Sequence, residues 1–300
     1  MSINVNNNTN AAVIIPATSK PVSSFTRFMS NAITEKAIVV SENSERQILS
    51  ANGGQAELVN VGNSSKTLPR GIYHSIHGAN DSPKMMDEVN QAALNKGYNV
   101  YTLAYDDLGE TMPAVNAYIQ ELSEQLEKNP KIPLVISAHS KGARIAHVAL
   151  GNIYKENPEL LKGRQITENL VNGYMGGHEG ANYLDYLPDM LIEGLDSIFS
   201  KYGHDNARMI INLSDMGSDS KFQKMLDAIE LPSNVQTNYI SNENDLIAPF
   251  ENHANTPALK NATIFKTNSK HPDPNNLYPG HTADMKNENL IDSVLVPVIK

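Results

Sequence analysis

The sequence predicts an α/β protein, in which helices cover both faces of a mostly parallel central sheet. From Arg70 onwards, strand-like runs alternate with helix-like stretches in the order strand, helix, strand, helix, strand, helix. Such alternation favours parallel strands that are joined by right-handed helical crossovers. With 300 residues, 40% of them hydrophobic and 19% charged, the chain can form one large domain with a well-buried core.

The first part of the chain precedes this alternation. Residues 1–35 are polar and nearly uncharged, so they cannot bury enough apolar surface to fold alone, and we expect a disordered leader. A single domain is expected over 36–300, because no repeat or second change in composition marks another boundary. It would open with short antiparallel strands at 37–40, 46–50 and 56–61, separated by Asn, Gly and Ser.

The alternating region predicts three strand–helix units. The strands are expected at 71–78, 98–105 and 132–138. The first helix opens at Ser82-Pro83, a typical N-cap and first-turn pair, and ends near Gly97. The second helix covers 113–128 and the third follows the last of these strands. Further strands are expected at 169–176, 207–214, 235–241 and 262–267, an insertion at about 177–206, and a helix at the C-terminus.

The stretch Ala-His-Ser-Lys-Gly, 138–142, lies at the abrupt change from the third strand to its helix. Parallel sheets place reactive groups at the carboxyl ends of their strands. Ala138 and Gly142 are small, as a tight strand-to-helix turn around Ser140 requires, and the pattern is that of a nucleophile elbow with Ala in the first position. Such a turn directs the main-chain N–H of Lys141 toward a developing oxyanion, while we expect the Lys141 side chain to be solvated.

At these residues the chain resembles the α/β-hydrolase family, and within it the bacterial lipases and carboxylesterases. Three further segments resemble the same family: "IYHSIHGAN", "SDMGSDSKFQKMLDAIELPSNVQTNYISNENDLIAPF" and "LYPGHTADM". The resemblance covers about 70–300 and implies an α/β-hydrolase fold with a lid-like insertion. It also implies a Ser140–Asp245–His281 triad and a second oxyanion donor at the main-chain N–H of Ala79.

Several other residues compete for the acid and base roles. Asp215 is the main rival to Asp245, because some hydrolases carry the acid one strand earlier. Asp106 and Asp107 also follow a strand, and we interpret them as loop-solvating or substrate-facing. The base has the competitors His178, His204, His253 and His271, and His139 is interpreted as a packing residue beside the nucleophile. We favour His281, which follows the last strand and a Pro-Gly turn.

One segment of the insertion, 187–202, places Leu191, Leu195, Ile198 and Phe199 on one helical face. This pattern is typical either of a lid over an acyl pocket or of an insertion helix packed on the core. No Lys/Arg-rich flank accompanies the face, so stable insertion into anionic membranes is not expected, although transient contact with a lipid surface is compatible with a lid.

Composition and motifs exclude several classes of protein. The net charge of −9, without any Lys/Arg run, argues against nucleic-acid binding. The chain has no cysteine, and it contains no metal or nucleotide-binding motif, so we expect no metal and no cofactor. It also lacks an apolar run of about 18 residues and a basic segment before its first apolar patch, so no membrane span or secretory signal is expected. The leader resembles those of type III-exported bacterial proteins, which leaves the bacterial cytoplasm or such export as the expected location.

The sequence therefore predicts a serine esterase or lipase that acts on small-molecule or lipid-like carboxylic esters through an acyl-enzyme. An acyltransferase or thioesterase would use the same three residues and remains an alternative. A catalytically silent hydrolase fold that binds a partner is a second alternative. The sequence leaves the acyl chain, the head group and the oligomeric state open.

Overall fold

The computed structural model describes residues 4–6, 56–64, 68–79, 81, 83–107, 109–177, 215–273, 276 and 279–298. Its strands are β1 Asn4–Asn6, β2 Glu57–Gly62, β3 Ile72–Ile76, β4 Asn99–Ala104, β5 Leu134–His139, β6 Ile166–Val171, β7 Val235–Asn242 and β8 Thr263–Thr267. Its helices are α1 Asp87–Lys96, α2 Thr111–Lys128, α3 Lys141–Glu156, α4 Lys221–Asp227, α5 Phe250–His253, α6 Pro279–Thr282 and α7 Glu288–Leu290.

The eight strands form one sheet in the order β1-β8-β7-β6-β5-β3-β4-β2. The strands from β3 to β8 pair in parallel, whereas β2 and β1 are antiparallel at the two edges. The predicted fold class, a mostly parallel sheet with helices, is therefore confirmed. None of the helices among the described residues is long and apolar enough to cross a membrane.

Apolar side chains cover both faces of the sheet. Adjacent residues of β5 point to opposite sides of the sheet. Ile136 joins the core beneath α2 and α3, whereas Val135 joins the core beneath α1 and the C-terminal turn Ile291–Leu295. All six residues of β5 are buried. The central position of this strand holds its carboxyl end, and hence the residue that follows it, at a fixed place in the molecule.

Two predicted elements differ from the structure. The strand expected at 169–176 lies at Ile166–Val171, and it includes Glu168, whose carboxylate is buried and bonded to His147 and Thr237. Within the expected disordered leader, Asn4–Asn6 pairs with β8, whose outer edge offers unpaired main-chain groups. The rest of the leader, the strands at 37–40, 46–50 and 207–214, and most of the insertion lie outside the described residues.

Candidate active site

Ser140 occupies a strained turn between β5 and α3. Its φ is +52° and its ψ is −120°, a conformation that a residue with a side chain rarely adopts. The main-chain N–H of Ser140 donates to the carbonyl of Val171 at the end of β6, 2.9 Å away, which ties the turn to the neighbouring strand. Strained backbone of this kind is characteristic of functional sites, where it presents a side chain in a defined direction.

Gly142 is required by the close approach of α3 to β3. A Cβ atom at this position would lie 2.4 Å from the carbonyl oxygen of His77 and 2.6 Å from that of Ile76. Both contacts are with backbone, which cannot move aside without displacing the strand. The small residue that the elbow pattern predicts is thus explained by packing of the helix against the chain that leaves β3.

The side chain of Lys141 is buried, with 1% of its surface exposed, so the prediction of a solvated side chain is wrong. Its ammonium group donates to the carbonyls of Asp107, at 3.0 Å, and Gly109, at 2.6 Å, in the loop after β4. Burial lowers the pKa of Lys141 to about 8, although the carboxylates of Asp107 and Asp215 oppose that shift. Two carbonyl acceptors therefore compensate for the loss of water around the amine.

The chain that leaves β3 lies directly against Ser140. A Cβ atom at Gly78 would lie 2.8 Å from Cβ of Ser140, which measures how closely the loop passes the candidate nucleophile. The hydroxyl of Tyr105 donates to the carbonyl of His77 at 2.8 Å, and the two rings stack at 4.5 Å. Tyr105 thereby fixes the segment that carries Ala79, whose N–H stays the predicted second oxyanion donor.

His281 and Asp245 are brought together by loops that follow adjacent strands. Nδ1 of His281, in α6 after β8, lies 2.7 Å from Oδ2 of Asp245, after β7. The other carboxylate oxygen, Oδ1, accepts from the main-chain N–H groups of Ile247, at 2.8 Å, and Ala248, at 3.0 Å. Burial alone would raise the pKa of Asp245, but its contacts with His281 and these two N–H groups outweigh burial and lower that pKa.

The main-chain carbonyl of His281 is held by two side chains. Nε2 of His139 and Nδ2 of Asn172 each lie 2.8 Å from this oxygen. The pKa of His139 is lowered to about 3, first by burial and then by the neighbouring His281, so its ring is neutral near pH 7. His139 thus packs beside the nucleophile, as predicted, and also bonds the loop of the base.

The competing acids have other partners. Oδ2 of Asp215 accepts from the main-chain N–H of Thr111, at 2.8 Å, and so caps the start of α2. Oδ2 of Asp107 accepts from the N–H of Asp81, at 3.2 Å. The structure therefore brings Asp245, and not Asp215, to the imidazole of His281.

The competing histidines are also accounted for where they are described. His253 is buried, and its Nδ1 accepts from the N–H of Gly176 at 3.1 Å while its ring contacts Tyr174. His271 accepts from the N–H of Asp273 within its own loop. His178, His204 and the predicted lid at 187–202 lie outside the described residues. Across the described ranges, no group of three or more His, Asp or Glu residues is placed to hold a metal ion.

Asn172 and Tyr105 are candidate functional residues that the sequence did not reveal. Each acts on main-chain atoms of a segment distant along the chain, 109 residues for Asn172 and 28 for Tyr105. Short motifs contain no signal for such contacts. The "NG" pair at 172–173, which lies inside the strand expected at 169–176, is typical of a turn and could have predicted the positive φ of +49° at Asn172.

The strand order, the strained Ser140 after β5 and the contact between Asp245 and His281 after β7 and β8 are those of an α/β-hydrolase fold. The solved structures that resemble it include a proposed thioesterase from Silicibacter sp. TM1040, with a TM-score of 0.50 and 14% identity, over 90% of this chain and 93% of that one. A mature lipase from Bacillus licheniformis has a TM-score of 0.49 and 13% identity, over 78% and 93% of the two chains.

A lipase-esterase related protein from Clostridium acetobutylicum has a TM-score of 0.46 and 15% identity, over 71% of this chain and 90% of that one. At 14% identity, the likeness to the Silicibacter protein shows the fold alone and does not extend to the reaction. No family model and no curated protein matches the sequence.

Proposed function

We propose that this protein is a serine hydrolase that cleaves carboxylic esters through an acyl-enzyme, with Ser140 as nucleophile, His281 as base and Asp245 as acid. The observation that carries the proposal is the 2.7 Å contact between His281 and Asp245, which follow the carboxyl ends of β8 and β7 as Ser140 follows the carboxyl end of β5. Parallel sheets bind their ligands at the carboxyl ends of their strands. The residues stand in the order Ser, Asp, His along the chain, as α/β-hydrolases require.

In the proposed reaction, Oγ of Ser140 attacks the carbonyl carbon while its proton passes to Nε2 of His281. The tetrahedral intermediate collapses, the bond to the leaving oxygen breaks, and Nε2 returns the proton to the departing alcohol. Water then attacks the acyl-enzyme while Nε2 of His281 takes its proton, and the carboxylic acid product leaves as that proton returns to Oγ of Ser140. Asp245 holds the imidazole in the tautomer with the proton on Nδ1, which leaves Nε2 free to accept.

The oxyanion of the intermediate would be stabilised by the main-chain N–H groups of Lys141 and Ala79. Support for this assignment is the position of Lys141 as the first residue of α3, where a helix N-terminus favours negative charge. Gly78, next to Ala79, passes within contact distance of Ser140. Loss of one such donor typically lowers kcat by about 10²–10³-fold.

A thioesterase or an acyltransferase would use the same acyl-enzyme, and one of the similar structures is a proposed thioesterase. These functions differ from esterase activity only in the leaving group or in the second nucleophile. A partner-binding protein without catalysis is the third candidate, and the intact contact between His281 and Asp245 argues against it.

The first experiment tests the nucleophile with a fluorophosphonate probe and with p-nitrophenyl esters. We expect the wild-type protein to be labelled at Ser140, and Ser140→Ala to lose both labelling and hydrolysis, by about 10⁶-fold in kcat. Ser293→Ala, which removes an exposed serine hydroxyl, is the matched control and should behave as wild type. A wild-type protein that is folded but neither labelled nor active would refute the proposal in favour of a silent fold.

The second experiment identifies the acyl substrate. Hydrolysis is compared over p-nitrophenyl esters from acetate to palmitate, over acyl thioesters, and over phospholipid vesicles. We propose lipid-like esters because the sequence of 187–202 predicts an apolar helical face typical of a lid. Leu195→Asp should then reduce hydrolysis of long-chain esters far more than that of acetate esters. An equal loss on all substrates, with a lower melting temperature, would instead identify a packed helix.

A further inference from the structure

The distance between the acid and the base depends on two loops that are far apart in sequence. Asp245 lies in the turn after β7, whereas His281 lies in α6, after β8 and a connecting loop. The 2.7 Å contact between their side chains is short, and a change of 1 Å at a catalytic group can lower a rate by about 100-fold. Some feature of the fold must therefore hold one loop against the other.

Asn172 lies at the end of β6, between the two strands that lead to the nucleophile and the acid. Its main-chain N–H donates to the carbonyl of Ile240 in β7 at 2.8 Å, so its own position is fixed by the sheet. Its φ of +49° is in the left-handed region, which Asn tolerates better than most residues with a side chain. The residue is fully buried.

The side-chain amide of Asn172 contacts both loops at once. Its Oδ1 accepts from the main-chain N–H of Asn242 at 2.9 Å, and the carbonyl of Asn242 accepts from the N–H of Asp245 at 3.0 Å. Its Nδ2 donates to the main-chain carbonyl of His281 at 2.8 Å. One planar group thus connects the turn that carries the acid to the helix that carries the base.

We propose that Asn172 is a positioning residue that sets the geometry of the Asp245–His281 pair, an inference that rests on the proposed function. An amide suits this role because it has a donor on one side and an acceptor on the other. Aspartate has no donor for the carbonyl of His281, and a smaller side chain reaches neither loop. His139 provides a second donor to the same carbonyl, and this bond restrains the loop, but Nδ1 of His139 makes no hydrogen bond to the acid turn.

Two substitutions separate the functions of the amide. Asn172→Gly removes the hydrogen bonds to Asn242 and His281 and a longer one to Asp284, and it is compatible with the positive φ, so the backbone need not change. Asn172→Asp keeps the acceptor for the N–H of Asn242, removes the donor to His281 and places a second carboxylate beside that of Asp284, which Nδ2 of Asn172 contacts at 3.4 Å. We expect kcat on a p-nitrophenyl ester to fall about 100-fold in Asn172→Gly and at least 10-fold in Asn172→Asp, with KM within about threefold of wild type.

A second measurement reports the geometry without requiring activity. The proton of the hydrogen bond between Nδ1 of His281 and Asp245 should give a strongly downfield resonance in the proton NMR spectrum, which His281→Asn would remove and so assign. We expect this resonance to shift or broaden beyond detection in both Asn172 variants. If the wild-type protein hydrolyses nothing but shows the resonance, the proposed function fails while this test of Asn172 stands.

Asn169→Ala is the matched control for a merely structural effect. Asn169 is a buried asparagine three residues earlier in β6, and its amide bonds to Ser137, Leu295 and Asn238, away from the acid and base. Its substitution should lower the melting temperature and leave both kcat and the His281 resonance unchanged. An Asn172→Gly protein with wild-type kcat and resonance would overturn the proposal, as would equal losses of both in Asn169→Ala.

Discussion

Nε2 of His139 lies 2.8 Å from the main-chain oxygen of His281, and the two imidazole rings are 4.6 Å apart between centroids. Because a carbonyl only accepts hydrogen bonds, Nε2 of the neutral His139 ring carries the proton. With the pKa of His139 lowered to about 3, the ring adds no positive charge beside the imidazolium that His281 forms during the proposed reaction. Of two adjacent histidines, only His281 then exchanges protons.

The neutral state of His139 makes stability depend on pH. Burial lowers the pKa of His139 from 6.5 to about 3, so between these two pH values the unfolded chain binds a proton that the folded protein does not. The contribution of the neutral ring to the free energy of unfolding is therefore fully present above pH 6.5 and declines on acidification. His139→Gln keeps an N–H donor and removes the titration. From pH 6.5 to 4.5, we expect the stability advantage of wild type over this variant to shrink by about 2–3 kcal/mol, measured by urea unfolding. A difference that is constant with pH would contradict this prediction.

Lys141 gives a pH dependence of the same sign as His139, but at alkaline pH. Its pKa is lowered from 10.5 to about 8, so between these values the folded protein has lost a proton that the unfolded chain retains, and stability rises with pH. Loss of that proton costs no hydrogen bond, because a neutral amine still has two N–H groups for its two carbonyl partners. Relative to Lys141→Met, wild type should gain about 2 kcal/mol from pH 8 to pH 10.

The control for this alkaline effect is an exposed lysine. Lys162 pairs with Glu159 at the surface, where both side chains are largely solvated. The difference in unfolding free energy between wild type and Lys162→Met should be nearly independent of pH over the same range. A parallel pH dependence in both variants would mean that the buried position of Lys141 is not the cause.

The fold and the local parts of the site could be predicted from the sequence because their signals are local. The strand–helix alternation predicted the parallel strands β3, β4 and β5 and the helices that follow them, and the small residues on either side of Ser140 predicted the strained turn. The edge strand at Asn4–Asn6 was missed, since its pairing depends on the free edge of β8 and not on its own polar composition. The start of β6 was missed because a buried Glu168 is explained only by its partners His147 and Thr237.

The supporting contacts of the site could not be predicted for a different reason. Lysine is among the residues least often buried, so a burial of Lys141 with two loop carbonyls around its ammonium group could not be expected from the sequence. Asn172 bonds the main-chain carbonyl of His281, and Tyr105 bonds that of His77. Because every residue has a main-chain carbonyl, no residue type in the sequence indicates such a partner. These contacts depend on the strand order of the sheet, which determines which strand ends lie next to each other.

Gly280 should be essential for the contact between the base and the acid. A Cβ atom at this position would lie 2.0 Å from the carbonyl oxygen of Asn244, directly before Asp245. The Cβ atom is fixed to the backbone of α6, and the oxygen that it meets is a backbone atom of Asn244. Neither can rotate away, so Gly280→Ala must push α6 away from the turn that carries Asp245. We expect kcat to fall by about 100-fold or more on a p-nitrophenyl ester, with the variant still folded by circular dichroism.

The matched control for Gly280→Ala is Gly163→Ala. Gly163 has a φ of +68° and no atom within 4 Å of the Cβ that alanine would add, and it lies in the turn before β6. Its substitution strains the backbone and should lower stability by about 1 kcal/mol without a change in kcat. If both alanine variants lose activity equally, general destabilisation and not displacement of α6 explains the loss.

The identity of the acid is tested by Asp245→Asn and Asp215→Asn. Oδ1 of Asp245 already accepts two main-chain N–H groups, so an asparagine there keeps its oxygen on that side and turns its NH₂ toward Nδ1 of His281. Nδ1 must then accept, the imidazole proton moves to Nε2, and the base can no longer take the proton of Ser140. We expect kcat to fall by about 10⁴-fold, the loss that this tautomer causes in a serine protease.

Asp215→Asn keeps an oxygen that can still accept from the N–H of Thr111, and it loses only a negative charge at the start of α2. At the helix start that charge is worth about 0.3–1 kcal/mol of stability, and its attraction to Lys141 and Arg144 is lost as well. Because Asp215 does not bond the imidazole of His281, kcat should stay within tenfold of wild type. Both variants are compared on one ester after circular dichroism confirms that they are folded. A severe loss in Asp215→Asn with a mild one in Asp245→Asn would assign the acid to Asp215, because only the residue that bonds Nδ1 of His281 can dictate where the imidazole proton resides.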